Sequence, residues 1–195
     1  MERDSIRIVA WNCQGGFRDK WRRAMELGPD VLVVSVVASR DDRMVTIFAV
    51  WAMASPGRSD YPERLHRAVS SYADLLREPV VMIGDFNSNT IFDADHQRGS
   101  HSQLVARLPA SGVASVYHER TGEAQGGESR PTFFMNRNPA KPYHLDYCFV
   151  SESLRGAVSG FSIGSPDDWL DVSDHLPLTV TLALPRQPAT SRVVG

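Results

Sequence analysis

The run Asp171-Val172-Ser173-Asp174-His175-Leu176-Pro177-Leu178 places a carboxylate and an imidazole just ahead of an apolar strand, in which Leu178, Val180 and Leu182 alternate with Thr179 and Thr181. Alternation with a period of two buries one face of a strand, so Asp174 and His175 belong at the mouth of a sheet. Adjacent residues of an extended chain face opposite sides, which gives these two distinct roles. Three other stretches have the same form. Val80-Val81-Met82-Ile83 runs into Gly84-Asp85-Phe86-Asn87, Tyr143-His144-Leu145-Asp146 runs into Tyr147-Cys148-Phe149-Val150, and residues 6–10 alternate into Trp11-Asn12. Hard oxygen donors converging with one imidazole are what a divalent cation and a phosphate ester require.

Outward from these stretches, the pattern predicts strands over residues 6–11, 31–37, 44–53, 79–83, 132–134, 146–150, 158–163 and 176–184. Residues 31–37 form an unbroken apolar run, as expected of a strand buried on both faces. Helical spacing of Leu65, Ala68, Val69, Tyr72, Leu75 and Leu76 predicts a helix over 61–77, with others over 17–27 and 102–110. Residues 87–101 read as a polar loop, and the Gly/Glu-rich residues 122–130 as a mobile one. The expected architecture is two sheets packed face to face with helices outside.

A chain of 195 residues can bury a full core, and it reads as one domain over 1–184 with a disordered Pro/Ser/Arg-rich tail over 185–195. A net charge of −2 excludes a global basic footprint, though local patches and a metal can still handle phosphate. Cys13 and Cys148 lie in or beside apolar strands and read as buried free thiols. With no signal-like start and no membrane-length apolar run, the expectation is a cytoplasmic protein without a membrane partner.

Asp85 and Asn87 are two apart, so on an extended segment they point the same way. Asp85 can then orient or deprotonate an attacking water, and the Asn87 amide can donate to a phosphoryl oxygen. His144 precedes Asp146 by two, which puts it on the same face, where it either touches substrate or packs as a half-buried structural residue. The loop from Asp93 to His101 holds two carboxylates and two imidazoles without metal-ligand spacing. It reads as a substrate-side loop, with Arg98 near phosphate and His101 beside it. Trp11, Trp21, Trp51 and Trp169 read as core or rim packing, and Arg18, Lys20, Arg22 and Arg23 as a solvated helix face.

The ordered set Trp11-Asn12, Gly84-Asp85-Phe86-Asn87, His144-Leu145-Asp146-Tyr147 and Ser173-Asp174-His175 resembles the endonuclease/exonuclease/phosphatase superfamily, over residues 6 to 184. The resemblance implies a DNase I-like α/β sandwich of two mostly antiparallel sheets flanked by helices. It implies Asp174 and Asn12 as ligands of Mg²⁺ or Mn²⁺, and His175 on the scissile phosphate as base or as protonated stabiliser. Asp146 would hydrogen-bond the far nitrogen of His175 and fix its tautomer.

The chain departs from the family at three places. Pro29-Asp30-Val31-Leu32-Val33-Val34-Ser35-Val36 reproduces the second-strand pattern, but Val36 stands where a metal-binding Glu is expected. Only a short turn precedes the next strand, where relatives carry several tens of residues, and Trp51-Ala52-Met53 stands where many have a catalytic His. Asp41 and Asp42 lie about 17–20 Å beyond Val36 if extended, too far to replace that Glu without a reversal. The trimmed middle leaves a sheet edge for a partner chain to cover. The implied activity is metal-dependent phosphodiester hydrolysis, as a nuclease on DNA or RNA. The alternative is a degenerate member that binds without cleaving, since losing an anionic ligand weakens a hard-cation site.

Overall fold

The computed structural model describes residues 5–11, 22–23, 25–27, 31–32, 36–40, 43–52, 60–74, 76, 79–96 and 99–183. Asn12, Cys13, Asp41, Asp42, Arg98 and the expected tail lie outside the described residues. In chain order the elements are β1 (Ser5–Ala10), β2 (Val31–Leu32), β3 (Val36–Arg40), β4 (Arg43–Trp51), α1 (Tyr61–Ser71) and β5 (Val80–Asp85). Then follow a 3-10 turn (Thr90–Asp95), α2 (His101–Arg107), β6 (Val113–Ser115), α3 (Val116–Thr121), β7 (Phe133–Phe134) and β8 (Pro142–Tyr143). The last are β9 (Asp146–Ser151), α4 (Glu152–Arg155), β10 (Val158–Ile163), α5 (Pro166–Trp169) and β11 (Leu178–Ala183).

Two sheets carry the fold: a four-stranded one in the order β10-β11-β1-β2 and a five-stranded one in the order β3-β4-β5-β9-β6. Most pairs are antiparallel, with β1–β2 and β4–β5 parallel. Between the sheets, Ile8, Leu178, Val180 and Leu182 meet Val45, Ile47, Val81, Ile83, Cys148 and Val150. On the outer face of the larger sheet, Val80, Met82, Phe86, Tyr147 and Phe149 pack under Leu65 and Val69 of α1 and Leu104 of α2. β5 and β9 are thus covered on both sides, which is why they read as unbroken apolar runs. Each such side chain taken fully out of water is worth roughly 1.5–3 kcal/mol. Cys148 is a buried free thiol. No described helix is long and apolar enough to cross a membrane.

The expected strand over 31–37 is split. Val31 and Leu32 pair with β1 in one sheet, while Val36 pairs with Ile47 in the other, where β3 is the edge strand. An apolar run meets the burial demands of either sheet, so periodicity alone cannot tell one strand from a crossover. Val36 therefore lies four residues along β4 from Trp51, about 13 Å from the end of that strand. Residues 122–130, expected to be mobile, pack instead: the Glu128 side chain is 3% exposed beside His118, and Glu123 accepts hydrogen bonds from Tyr117, Ser129 N–H and Ser129 Oγ. The expected long helix stops at Ser71. β6 and α3 are short elements that no run of sequence announced.

The parallel β4–β5 contact depends on Gly84, whose φ is +137° and where an added Cβ would lie 2.2 Å from the Val50 carbonyl oxygen. An L side chain is strained at that φ, and the neighbouring backbone has no room to yield. Gly84→Ala is therefore expected to cost about 3 kcal/mol, read as a fall in Tm of roughly 6–12 °C.

Candidate active site

The larger sheet ends in a row of polar residues. Trp51, Asp85 and Asp146 are register partners across β4, β5 and β9, so the two carboxylates stand opposite one another on adjacent strands. They share the inner face, because Val81, Ile83, Cys148 and Val150, at alternate positions on the same strands, fill the core between the sheets. Asp85 and Asp146 are both 2% exposed. Two like charges directly opposite are destabilising unless a counter-charge meets them. His175 supplies it from the other sheet's side: its Nδ1–H donates to Asp146 Oδ2 at 2.9 Å, and its Nε2 lies 3.8 Å from Asp85 Oδ2.

Several contacts hold the imidazole there. The Trp11 indole donates to the His175 carbonyl, the His175 N–H donates to Ser173 Oγ, and the Phe133 ring packs against it with centroids 4.6 Å apart. Burial works against charge on His175, but Asp146, then Asp85 and Asp174, hold its pKa up to about 9. The ring is therefore cationic at neutral pH.

Asn87 reaches Asp85, though not along an extended strand. With φ at +47° it turns back, so its N–H donates to Asp85 Oδ1 at 2.8 Å. Its side-chain amide donates to Asp85 Oδ2 and to the Ala52 carbonyl, each at 2.9 Å. One amide hydrogen is thereby engaged with Asp85 and the other with Ala52, which differs from the expected donor to phosphate. The reversal is local Asx chemistry, which competes with strand extension where β5 ends.

Asp174 sits in a bend next to His175 and is 9% exposed, with its backbone carbonyl accepting from Phe134 N–H at 2.7 Å. The Ser173–His175 turn thus replaces the expected extended run. Asn12 and Arg98 fall outside the described residues.

His144 and His101 are the corrections. His144 does not share the face of Asp146, because β8 ends at Tyr143 and β9 begins only at Asp146, so no continuous strand joins the two. Its ring lies among Tyr117, His118 and Tyr147, and its Nδ1–H donates to the Arg130 carbonyl at 2.7 Å. Burial pushes its pKa down, and its Nε2 is enclosed without a hydrogen-bond partner. His101 is 0% exposed, too enclosed to meet a substrate, and its Nδ1 pairs with Ser88 Oγ at 2.8 Å. Desolvation lowers its pKa to about 4.

Sequence reasoning missed the support beneath the row. Buried Thr132 accepts from both Leu145 N–H and Asp146 N–H through its Oγ1. Buried Asn89 donates to Glu128, to the His144 carbonyl and to Tyr147 Oη, while its Oδ1 caps the 3-10 turn at Ile91 N–H. Asn89 closes the motif Gly84-Asp85-Phe86-Asn87-Ser88-Asn89, and a second Asn two residues on was a signal that could have been read. Thr132 had none.

The two-sheet sandwich is that of the DNase I-like α/β proteins. Residues 64–175, more than half of the chain, match the Endonuclease/Exonuclease/phosphatase family, and the chain belongs to that family. It is 26% identical over 151 residues to the CCR4-Not complex 3′-5′-exoribonuclease subunit Ccr4 of Kluyveromyces lactis, covering 67% of this chain and 19% of that protein. The chain thus spans about a fifth of that relative's length. The 3′ phosphatase NExo from Neisseria, bound to product DNA hairpin, matches with a TM-score of 0.64 and 15% identity over 90% of this chain and 98% of that one. The endonuclease domain of TRAS1, a telomere-specific non-LTR retrotransposon, matches with a TM-score of 0.64 and 13% identity over 93% of this chain and 100% of that one.

Thr132→Val leaves two enclosed backbone N–H groups without an acceptor, so a loss of about 2–4 kcal/mol is expected in urea unfolding. The folded pKa of His101, about 4, lies below its unfolded value. Its contribution to stability, on the order of 3 kcal/mol, is full above about pH 6.5 and is lost as pH falls through about 4. His175 has the opposite sign: its contribution is present below about pH 6.5 and fades as pH rises through about 9. Unfolding followed from pH 4 to 9 should show both limbs, and His101→Gln should flatten the acid one.

Proposed function

We propose that the protein is a divalent-metal-dependent phosphodiester hydrolase that cleaves nucleic acid, DNA or RNA, as a nuclease. The observation that supports this reading most is the buried row Asp85–His175–Asp146, in which a cationic imidazole lies between two carboxylates at one end of the sandwich. Asp85, Asp146 and His175 each offer one donor atom, all within 4.8 Å of one another. Carboxylate oxygens are the donors that Mg²⁺ and Mn²⁺ take, so the carboxylates of Asp85 and Asp174 fit a hard cation, while the cationic His175 is not among its ligands. Asp174 would hold the ion, with Asn12 the second ligand that the family resemblance implies; the ion would polarise the phosphate and offset charge on the leaving oxygen.

The chain's own residues do the rest. Asp85, held by Asn87 through two hydrogen bonds, orients the attacking water and takes its proton as the water oxygen bonds to phosphorus. His175 commits Nδ1–H to Asp146, and its Nε2 is beyond hydrogen-bond reach of Asp85. The Nε2–H is therefore directed at the non-bridging phosphoryl oxygens, where negative charge builds in the transition state. Of the two roles open to His175, the raised pKa favours the protonated stabiliser over the base. Asn87 and Asp146 act as positioning residues. The buried free thiol of Cys148 supports a reducing, cytoplasmic setting.

Wild-type protein is expected to cleave labelled single- or double-stranded DNA or RNA with Mg²⁺ or Mn²⁺ and to stop when the metal is chelated. Asp85→Asn and His175→Ala should each slow cleavage by at least about 100-fold. Val36, in place of an anionic ligand, favours the second reading, a family member that binds without cleaving. Binding without metal-dependent cleavage, or cleavage surviving in both variants, would replace the first reading with the second.

A further inference from the structure

Trp51 is 64% exposed, the most exposed of the large hydrophobic side chains among the described residues. Tryptophan is rarely so open, because an indole has much apolar surface to hide. Its position is specific. It is the last residue of β4 and the register partner of Asp85, which is in turn the partner of Asp146.

Alternation along β4 settles the face. Val45 and Ile47 point into the core between the sheets, whereas Phe48, Val50 and Ala52 belong to the outer cluster. Trp51 is therefore on the inner face, the face of the two carboxylates. With adjacent strands about 4.8 Å apart, its backbone lies about 5 Å from that of Asp85 and about 10 Å from that of Asp146. β3 runs beside β4 only from Arg43 to Ile47, so among the described residues no strand flanks Trp51 on that side. Of the two positions the sequence reading gave Trp51, core or rim, its exposure leaves the rim.

We propose that the Trp51 indole is a stacking platform for an unpaired nucleobase next to the scissile phosphate, and that this makes single-stranded nucleic acid the preferred substrate. The proposal rests on the nuclease reading and narrows its substrate. An indole face stacks any base, so it gives affinity without sequence preference. With a net charge of −2, the chain lacks the overall positive field that gathers a duplex by its phosphates. Bases within a duplex are already stacked on each other and cannot reach the ring without being unpaired.

The test uses the full chain as wild type, Trp51→Ala and Trp51→Phe, with a labelled single-stranded oligonucleotide and its duplex as probes. Kd is measured in an Asp85→Asn background, where cleavage is suppressed. Trp51→Ala is expected to raise KM and Kd for the single strand by roughly 5- to 150-fold, to leave kcat unchanged, and to leave duplex binding and Tm unchanged. Trp51→Phe should recover most of the loss. Unchanged KM and Kd in Trp51→Ala, or equal losses for strand and duplex, would overturn the proposal while wild-type cleavage kept the nuclease reading. Trp51-dependent binding of single strands without cleavage would uphold stacking and overturn hydrolysis. Absence of oligonucleotide binding would overturn both.

Discussion

Asp85 and Asp146 face each other on adjacent strands at the end of the larger sheet, both out of water, and His175 holds them there. Without a cation between them, two buried carboxylates in register would repel and desolvate at a cost of several kcal/mol each. With it, the end of β5, the start of β9 and the segment leading into β11 are drawn to one point. The β9 strand belongs to one sheet and β11 to the other, so this charge arrangement also closes one end of the sandwich. Its polarity is unusual for a histidine so enclosed: burial alone would neutralise the ring, and three neighbouring carboxylates override it.

A contrast within the same protein shows which effect wins where. His101 is as enclosed as His175, yet its partners are Ser88 and Gln125, and desolvation dominates. His144 likewise meets a carbonyl and aromatic rings, with the same direction of shift. Two neutral imidazoles belong to the packing behind the row, and one charged imidazole belongs to its front. That division leaves His175 as the imidazole free for the electrostatic role proposed for it, and the other two as packing.

Much of the site was legible in the sequence because its residues lie at ends of apolar runs, where a strand must stop and polar groups meet water. Gly84-Asp85-Phe86-Asn87, Leu145-Asp146 and Ser173-Asp174-His175 could be placed at strand ends from pattern alone. Directions were less legible. Asn87 reaches Asp85 through a left-handed turn, and His144 turns away from Asp146 because the strand is interrupted between β8 and β9. The period-two rule holds only while the strand continues, and it failed where the strand broke. Residues 31–37 failed for a related reason: an apolar segment is equally at home in either sheet, and only pairing decides between them.

The sequence by itself determined that the carboxylates and His175 lie at strand ends, which follows from local periodicity and residue chemistry, and its resemblance to a family implied the fold and the pairing of the imidazole with Asp146. The tertiary structure alone decided which groups meet. Thr132 under Asp146, Asn89 joining Glu128 to Tyr147, and Trp51 in line with Asp85 are contacts between residues distant in sequence. Such contacts are set by strand order and register, which no single segment encodes. The charge states of His101, His144 and His175 follow from the same cause, because burial and neighbouring carboxylates exist only once the sheets have packed.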